Sequence, residues 1–449
     1  MKIHFISLGC DKNLVDSEIM LGLLAEAGHA ITDDETAAEV IVINTCGFIA
    51  DATNEGVKTI LEAARQKTEG KCRALVVAGC MVARYRDKIM QELPEVDVIM
   101  SPDDTPRIVS VIEKAAGGER FALISDKGGA PEELHRKRLL SGAGHFAYLR
   151  VADGCDNRCT YCTIPSIRGA YRSRTADSLA EEAETLAARG VKELILVAQD
   201  VALYGADLAD EIPKNERLPR LLRRLSAIPG VEWIRLMYCY PEHITPELIG
   251  EMASNAKICH YIDMPVQHSA DTVLRRMGRA GTNAGLRAVI ADLRAAMPDI
   301  CIRTTLIAGF PGESEEEFGE LLNFVREARF DRLGVFAYSR EDGTPAYKMK
   351  GQLTKPVKER RRKALMKAQA AVSAQKCAAL VGRTLRVITD GYIAEDGVWC
   401  GRSWRDCPDV DGMVFFACDW QPLTGDFVDV TITSAGEYDL IGEAVLLLL

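Results

Sequence analysis

Phe146 to Cys162 reads FAYLRVADGCDNRCTYC. Its first six residues form an apolar run of strand length, and a glycine turn then delivers Cys155, Cys159 and Cys162 as C-x3-C-x2-C. With 14 cysteines in 449 residues, chance produces such a trio only about 1% of the time. The spacing differs from the C-x2-C pairs of structural zinc sites. Three thiolates on one tight loop suit three irons of a 4Fe–4S cube, which leaves the fourth iron open to a substrate or cofactor. A loop that directly follows a strand sits at the C-terminal edge of a sheet, where α/β proteins keep their sites.

Downstream, strand candidates recur: ELILVA, WIRLM, HYIDM, CIRTTLI and RLGVFA. Helical stretches separate them, among them Asp177 to Arg189 and Ser314 to Arg329. Six βα units fall short of the eight of a closed barrel and predict a partial, open one. A basic helix closes this domain, placed at residues 141–372; Thr354 to Lys376 holds eight Lys/Arg and one Glu. Residues 373–449 change to short alternating runs (TLRVITD, DFVDVTIT, EAVLLLL) broken by Gly, Pro and Asp, the pattern of a small all-β barrel.

Upstream, residues 1–116 alternate the β-rich runs KIHFIS, EVIVIN, RALVVA and VDVIM with helical stretches from Leu14 to Ala27, Ala52 to Arg65 and Asp104 to Ala116. The alternation predicts a parallel, doubly wound sheet. Residues 117–140, including KGGAPEE and HRKR, read as a linker. Cys10, Cys46 and Cys80 each stand just past one of these strands, and such strand ends lie side by side in a doubly wound sheet. Three coincidences at one topological place point to a second three-cysteine cluster. Gly9, Gly47 and Gly79 adjoin them and let backbone approach a bulky ligand. Cys72 precedes its strand, at the wrong end. Cys239, Cys259 and Cys301 read as buried, Cys377 stands alone, and Cys400, Cys407 and Cys418 lack ligand spacing.

Lys+Arg number 55 against 65 Asp+Glu, a formal charge of −10, with 47% hydrophobic and 27% charged residues. This composition excludes a disordered chain and one that wraps nucleic acid by bulk charge. No apolar run is long enough to span a bilayer and the N-terminus lacks a signal-peptide layout, so a cytoplasmic protein with free thiols is expected.

The C-x3-C-x2-C loop resembles the radical S-adenosylmethionine superfamily. The whole arrangement, three N-terminal cysteines, a radical loop and a small β-barrel (TRAM domain), is similar to the methylthiotransferases. The segments LGCDKNLVDSE, NTCGFI, DGCDNRCTYCTIPSIRGAYRSR, MYCYPEHIT, PVQHSADTVLRRMGR and YSREDGTPA resemble the protein-modifying branch, which acts on an aspartate of the twelfth small-subunit ribosomal protein. The transfer-RNA branch reads NTCS-V-R where this chain has Gly47-Phe48-Ile49, and V-P-Y-T-R-G where it has Ile164 to Gly169. The resemblance implies two 4Fe–4S clusters, one on Cys155, Cys159 and Cys162 and one on Cys10, Cys46 and Cys80. It also implies S-adenosyl-L-methionine as radical source and methyl donor, 3-methylthioaspartate as product, and electron and sulfur donors as partners. It implies further that a 5′-deoxyadenosyl radical abstracts hydrogen from the aspartate β-carbon and that sulfur arrives through the open iron of the N-terminal cluster. No direct transfer-RNA substrate is expected.

The superfamily's adenine position falls on Tyr161, and its late glycine motif falls on backbone near Ile307 and Gly309 in TTLIAGFPGE. Gln199 and Asp200 end a strand and read as polar groups aimed at the ligand pocket. Gln267 and His268 read as either structural or substrate-facing. Asp16 and Glu18, near a helix start, suit the macrodipole. Arg168, Arg172 and Arg174 are candidates to pair with carboxylates of cofactor or substrate. Residues 379 to 449 hold four Arg and twelve Asp/Glu, 4 − 12 = −8. Such a barrel repels RNA and attracts a basic protein. The basic helix reads as a solvated face or a contact for ribosomal RNA.

Overall fold

The computed structural model describes residues 1–125, 135, 137–209 and 211–445. Among them the first domain is one parallel sheet of six strands: β1 (Lys2–Ser7), β2 (Ala30–Ile31), β3 (Val40–Thr45), β4 (Ala74–Gly79), β5 (Val98–Met100) and β6 (Phe121–Leu123), in the order β2-β1-β3-β4-β5-β6. VIVINT and ALVVAG are buried along their whole length, as central parallel strands require. Their side chains alternate between two cores. Val40, Val42, Val76 and Ala78 pack with Met20, Leu24 and Ile112 on one face. Ile41, Ile43, Leu75 and Val77 pack with Ile60 and Ala63 on the other. The order reverses between β1 and β3, and a crevice opens there at the strand C-termini.

The stretch read as linker is structured at both ends. β6 lies inside it, so the sheet runs past residue 116. At its far end Arg138 is buried against Glu18 and Glu182. Chain at Lys137 crosses Gly22 so closely that an added Cβ would lie 2.1 Å from the Lys137 carbonyl oxygen. KGGAPEE lies outside the described residues.

The middle domain holds β7 (Phe146–Arg150), β10 (Glu193–Val197), β11 (Trp233–Leu236), β12 (Ile258–Asp263), β13 (Cys301–Ala308) and β14 (Arg332–Ala337) as one parallel sheet in sequence order, the six-unit arrangement expected. A two-strand ribbon, β8 (Ala152–Asp153) with β9 (Arg172–Ser173), ties the cysteine loop at its base. Helices cover one face of the sheet. The opposite face packs Ile195, Val197, Trp233 and Tyr261 against Ile388 and Cys407 of the last domain.

That last domain is a closed barrel of β15 (Thr384–Ile393), β16 (Val398–Ser403), β17 (Val414–Ala417), β18 (Phe427–Ala435) and β19 (Leu440–Ala444). The basic helix, Lys355–Ala378, runs across the boundary placed at 372. It is not merely a solvated face. Arg361 is buried on Glu313, Lys376 pairs with Asp331, and the Lys358 ammonium donates to the Tyr338 carbonyl. Residues Ser403 to Asp411 dock the barrel. Arg235 pairs with Glu193 and donates to the Trp404 carbonyl, and Glu193 also takes Arg402 at 2.6 Å. Arg332 pairs with Asp406, Asp331 with Arg405, and Tyr261 donates to Asp411.

Candidate active site at the domain junction

Cys10 precedes the helix Asp11–Glu26, Cys46 follows β3, and Cys80 opens the helix Cys80–Tyr85. Cys10 and Cys46 thus flank the crevice at the order reversal, and Cys80 stands one strand away. The glycines bring them together. A Cβ on Gly9 would lie 2.8 Å from Cys46 Cβ, one on Gly47 2.7 Å from Met81 Cα, and one on Gly79 2.5 Å from the Thr45 carbonyl oxygen. Gly9 and Gly79 both hold φ +98. Their room is therefore spent on strand end against strand end, rather than on ligand approach. Burial pushes the Cys80 thiol up to about 12, where Arg168 opposes the rise and Cys10 and Cys46 add to it. Burial raises Cys46 too, with Cys10 contributing.

The second trio sits on the loop after β7 and β8. The loop is bolted from outside: Thr160 N–H donates to the Met277 carbonyl, Thr160 Oγ1 to the Arg276 carbonyl, and Ala346 N–H to the Thr160 carbonyl. Segments RRMGR and GTPA thus shape the loop. A cavity of about 510 Å³ is lined by Cys155, Cys159 and Cys162 together with Asn157, Thr163 and Gly343. Burial pushes Cys155 to about 11 and Cys162 to about 12, each raised further by neighbouring thiols. Metal binding by such thiols must release protons. Among the described residues no three His, Cys, Asp or Glu converge as a single metal ion requires. A cube would take one thiolate per iron, so its three ligands need not share a common point.

Contacts beside the two trios cross the domain junction. Thr163 Oγ1, beside Cys162, donates to the carbonyl of Phe48, two residues past Cys46. Arg168 donates to Cys80 Sγ at 3.3 Å and pairs with Asp16 and Asp153. Arg150 pairs with Asp16 at 2.5 Å. On the far side Lys12 stands 3.3 Å from the centre of the Tyr238 ring, and the Tyr238 hydroxyl donates to Asp11. Glu341 accepts from Ala50 N–H and from Arg84. The cavity lining includes the three loop thiols and none of Cys10, Cys46 and Cys80.

Tyr161 and Ile307 pack on one apolar cluster with Phe310 and Tyr338. The Tyr161 hydroxyl and Gln199 Oε1 are buried without a hydrogen-bond partner, and neither residue is part of the cavity lining. Gln199 Nε2 donates to Asp153. Gly309 N–H is instead taken by Glu313, and Ile307 N–H by the Gln267 carbonyl. Asp200 does not face the cavity: it is fully buried and binds His243, Asn157 and Tyr240 N–H. His268 is structural, accepting from Ala270 N–H, with burial holding it down at about 3. Asp16 serves Arg150 and Arg168 rather than a helix end, and Glu18 lies by Arg138 and Ser141. Arg174 pairs with Glu182 and Arg172 stands by Asp103, so these arginines meet protein carboxylates. Cys72 donates to its own strand at Ala74, and Cys301 to the Arg405 carbonyl. Sequence reasoning passed over Lys12, Asn13, Tyr238, Tyr240 and Glu341. All lie in the motifs quoted above, and only their partners, far along the chain, reveal them.

Three family models match: an uncharacterized family, UPF0004, over residues 2–101, the radical SAM superfamily over 149–325 and the TRAM domain over 381–445. The solved radical S-adenosylmethionine methyltransferase TsrM from Kitasatospora setae, which has cobalamin and a [4Fe-4S] cluster bound, superposes with TM-score 0.55 at 16% identity, over 77% of this chain and 76% of its own. The cobalamin-dependent S-adenosylmethionine radical enzyme OxsB gives TM-score 0.51 at 12% identity, over 82% of this chain and 56% of that one. Fold and cysteine loop define a radical SAM enzyme, a class whose cofactors are a 4Fe–4S cluster and S-adenosylmethionine. Ribosomal protein uS12 methylthiotransferase RimO of Lachnoclostridium phytofermentans is 49% identical over 444 residues, 99% of this chain and 100% of its own. The protein of the same name from Geobacter sulfurreducens is 47% identical over 446 residues, 99% and 98% of the two chains. The chain belongs to this methylthiotransferase family.

Proposed function

We propose that the chain converts an aspartate of ribosomal protein uS12 to 3-methylthioaspartate, with one 4Fe–4S cluster on Cys155, Cys159 and Cys162 and a second on Cys10, Cys46 and Cys80. The observation that supports this most directly is the direct contact between the two cysteine-bearing regions, Thr163 with Phe48 and Arg168 with Cys80. When bound, the loop cluster and S-adenosylmethionine supply a radical able to take hydrogen from an unactivated carbon, and the N-terminal cluster supplies sulfur. The chain's own groups bind and orient. Tyr161 and Ile307 offer an apolar wall to the adenosine, and Gln199 Oε1 and the Tyr161 hydroxyl offer polar contacts in a water-poor setting. Glu341, held by Ala50 and Arg84, clamps the loop bearing Gly343 over the cavity.

The substrate is read from charge. Arg402 and Arg405 of the barrel are buried in docking pairs, while Glu395, Asp396, Asp409, Asp419 and Glu437 remain exposed. The outward face is therefore acidic, which suits a basic ribosomal protein and opposes RNA. Electron and sulfur donors complete the reaction. Among the described residues no helix is long and apolar enough to cross a membrane, and a ribosomal substrate places the enzyme in the cytoplasm.

Iron and sulfide analysis of the Cys10/Cys46/Cys80→Ala variant tests the cluster assignment. The variant is expected to lose about half the iron and still cleave S-adenosylmethionine to 5′-deoxyadenosine. Unchanged iron overturns it. Mass spectrometry of uS12 and of transfer RNA after turnover tests the substrate: methylthio gain on a nucleoside reverses the assignment.

A further inference from the structure

Arg168 ends the short helix Ile164–Arg168 that follows the loop cysteines, yet its guanidinium reaches into the N-terminal domain. Nη1 lies 2.8 Å from Asp16 and 3.4 Å from Asp153. Nη2 lies 3.3 Å from Cys80 Sγ and 3.4 Å from Asn13 Oδ1. The residue is 6% exposed, so water does not compete for these donors. A guanidinium is a rigid fork. With one nitrogen held by carboxylates from both domains, the other is fixed on the sulfur.

We propose that Arg168 is a positioning residue of the N-terminal site, donating to the Cys80 sulfur and raising the reduction potential of the cluster there. The proposal rests on the assignment of that cluster to Cys10, Cys46 and Cys80. Adding an electron to a cluster increases the negative charge on its sulfurs. An N–H donor at a ligand sulfur therefore stabilises the reduced state more than the oxidised one, and hydrogen bonds to sulfur are a recognised control on cluster potential. The donor belongs to the radical domain, so the potential of the sulfur-delivering site registers whether the two domains are docked. A tie that served only to hold the domains together would leave the potential alone.

The test uses the full chain carrying Cys155→Ala, Cys159→Ala and Cys162→Ala, so that only the N-terminal cluster is seen. Reconstituted protein is titrated with dithionite and followed by electron paramagnetic resonance, with Arg168 intact and with Arg168→Gln. The Gln variant is expected to keep about four irons per chain and to be about tenfold harder to reduce, equivalent to about 59 mV for a one-electron couple. Retained iron with an unmoved midpoint overturns the proposal and leaves Arg168 as a domain tie. Should Arg168→Gln lose its iron, the midpoint is read on Arg168→Lys, which keeps a cation between Asp16 and Asp153 but withdraws the fork from Cys80. The same shift is expected there, and an unmoved midpoint again overturns the proposal. Absence of iron with Arg168 intact is a different result, refuting the cluster assignment itself.

Discussion

Asp153 stands two residues before the first loop cysteine, and its acidity is set from outside the loop. Burial favours its neutral form, but Arg168 and Arg150 outweigh burial and bring the carboxyl to about 2 from an ordinary 3.8. The group is more acidic folded than unfolded, so its stabilisation is complete above the unfolded value and disappears as pH falls through about 4 toward 2. That difference corresponds to about 2 kcal/mol. Urea unfolding at pH 6 and pH 3 should show Asp153→Asn less stable than wild type by about this much at pH 6, and the gap narrowing at pH 3. A gap of equal size at both values contradicts the ion-pair account. At this scale the sequence singles out candidate residues and hides what they touch. Cys155, Cys159 and Cys162 are legible from spacing alone. That Arg168 meets Asp16 and Cys80, or that Asp200 turns away to His243, depends on contacts between distant parts of the chain that no local pattern encodes.

Among the elements, the crevice at the N-terminal cysteines is built by close approach. Gly47 lets the end of β3 lie on the start of the helix Cys80–Tyr85, where a Cβ would be 2.7 Å from Met81 Cα and 2.9 Å from the Cys80 carbonyl oxygen. Gly47→Ala should lower stability by about 1–3 kcal/mol through overpacking. It should also separate Cys46 from Cys80, so reconstituted protein should lose N-terminal iron and keep loop iron. Full iron content would show that backbone adjustment absorbs the methyl. Strands such as β3 and β4 were plain in the sequence because they are apolar and buried almost throughout, and β13 because its burial alternates. The edge strands β2 and β6 were not: two and three residues, none of them buried, are too short to carry a hydrophobic period. The basic helix was visible by charge, but the burial of Arg361 on Glu313 was not, since a paired cation and a solvated one look alike in sequence.

For the whole molecule, the C-terminal barrel is joined to the radical domain through buried charge. Arg235 and Glu193 are both fully buried, and Arg402 completes the group. Removing one partner strands the others, which costs about 3–5 kcal/mol. Arg235→Leu should therefore lower the denaturation midpoint markedly and expose the segment around Trp404 to protease, without altering iron content at low temperature. Wild-type stability and protease resistance would mean that apolar packing alone holds the barrel. The barrel's architecture was readable from its short alternating runs. Its second role, covering the inner face of the six-strand sheet, was not, because that face is completed by Ile388 and Cys407 from a separate domain.

This docking gives the order of synthesis a meaning. Asp406 supplies the ion-pair partner of Arg332, and Arg405 a second cation for Asp331, so a nascent chain that has emerged only as far as the basic helix holds Arg332 uncompensated. The middle of the polypeptide can collapse early, but it reaches its final form only once the last stretch has left the exit tunnel. A ribosome stalled a few dozen codons short would thus display an unfinished, protease-sensitive core.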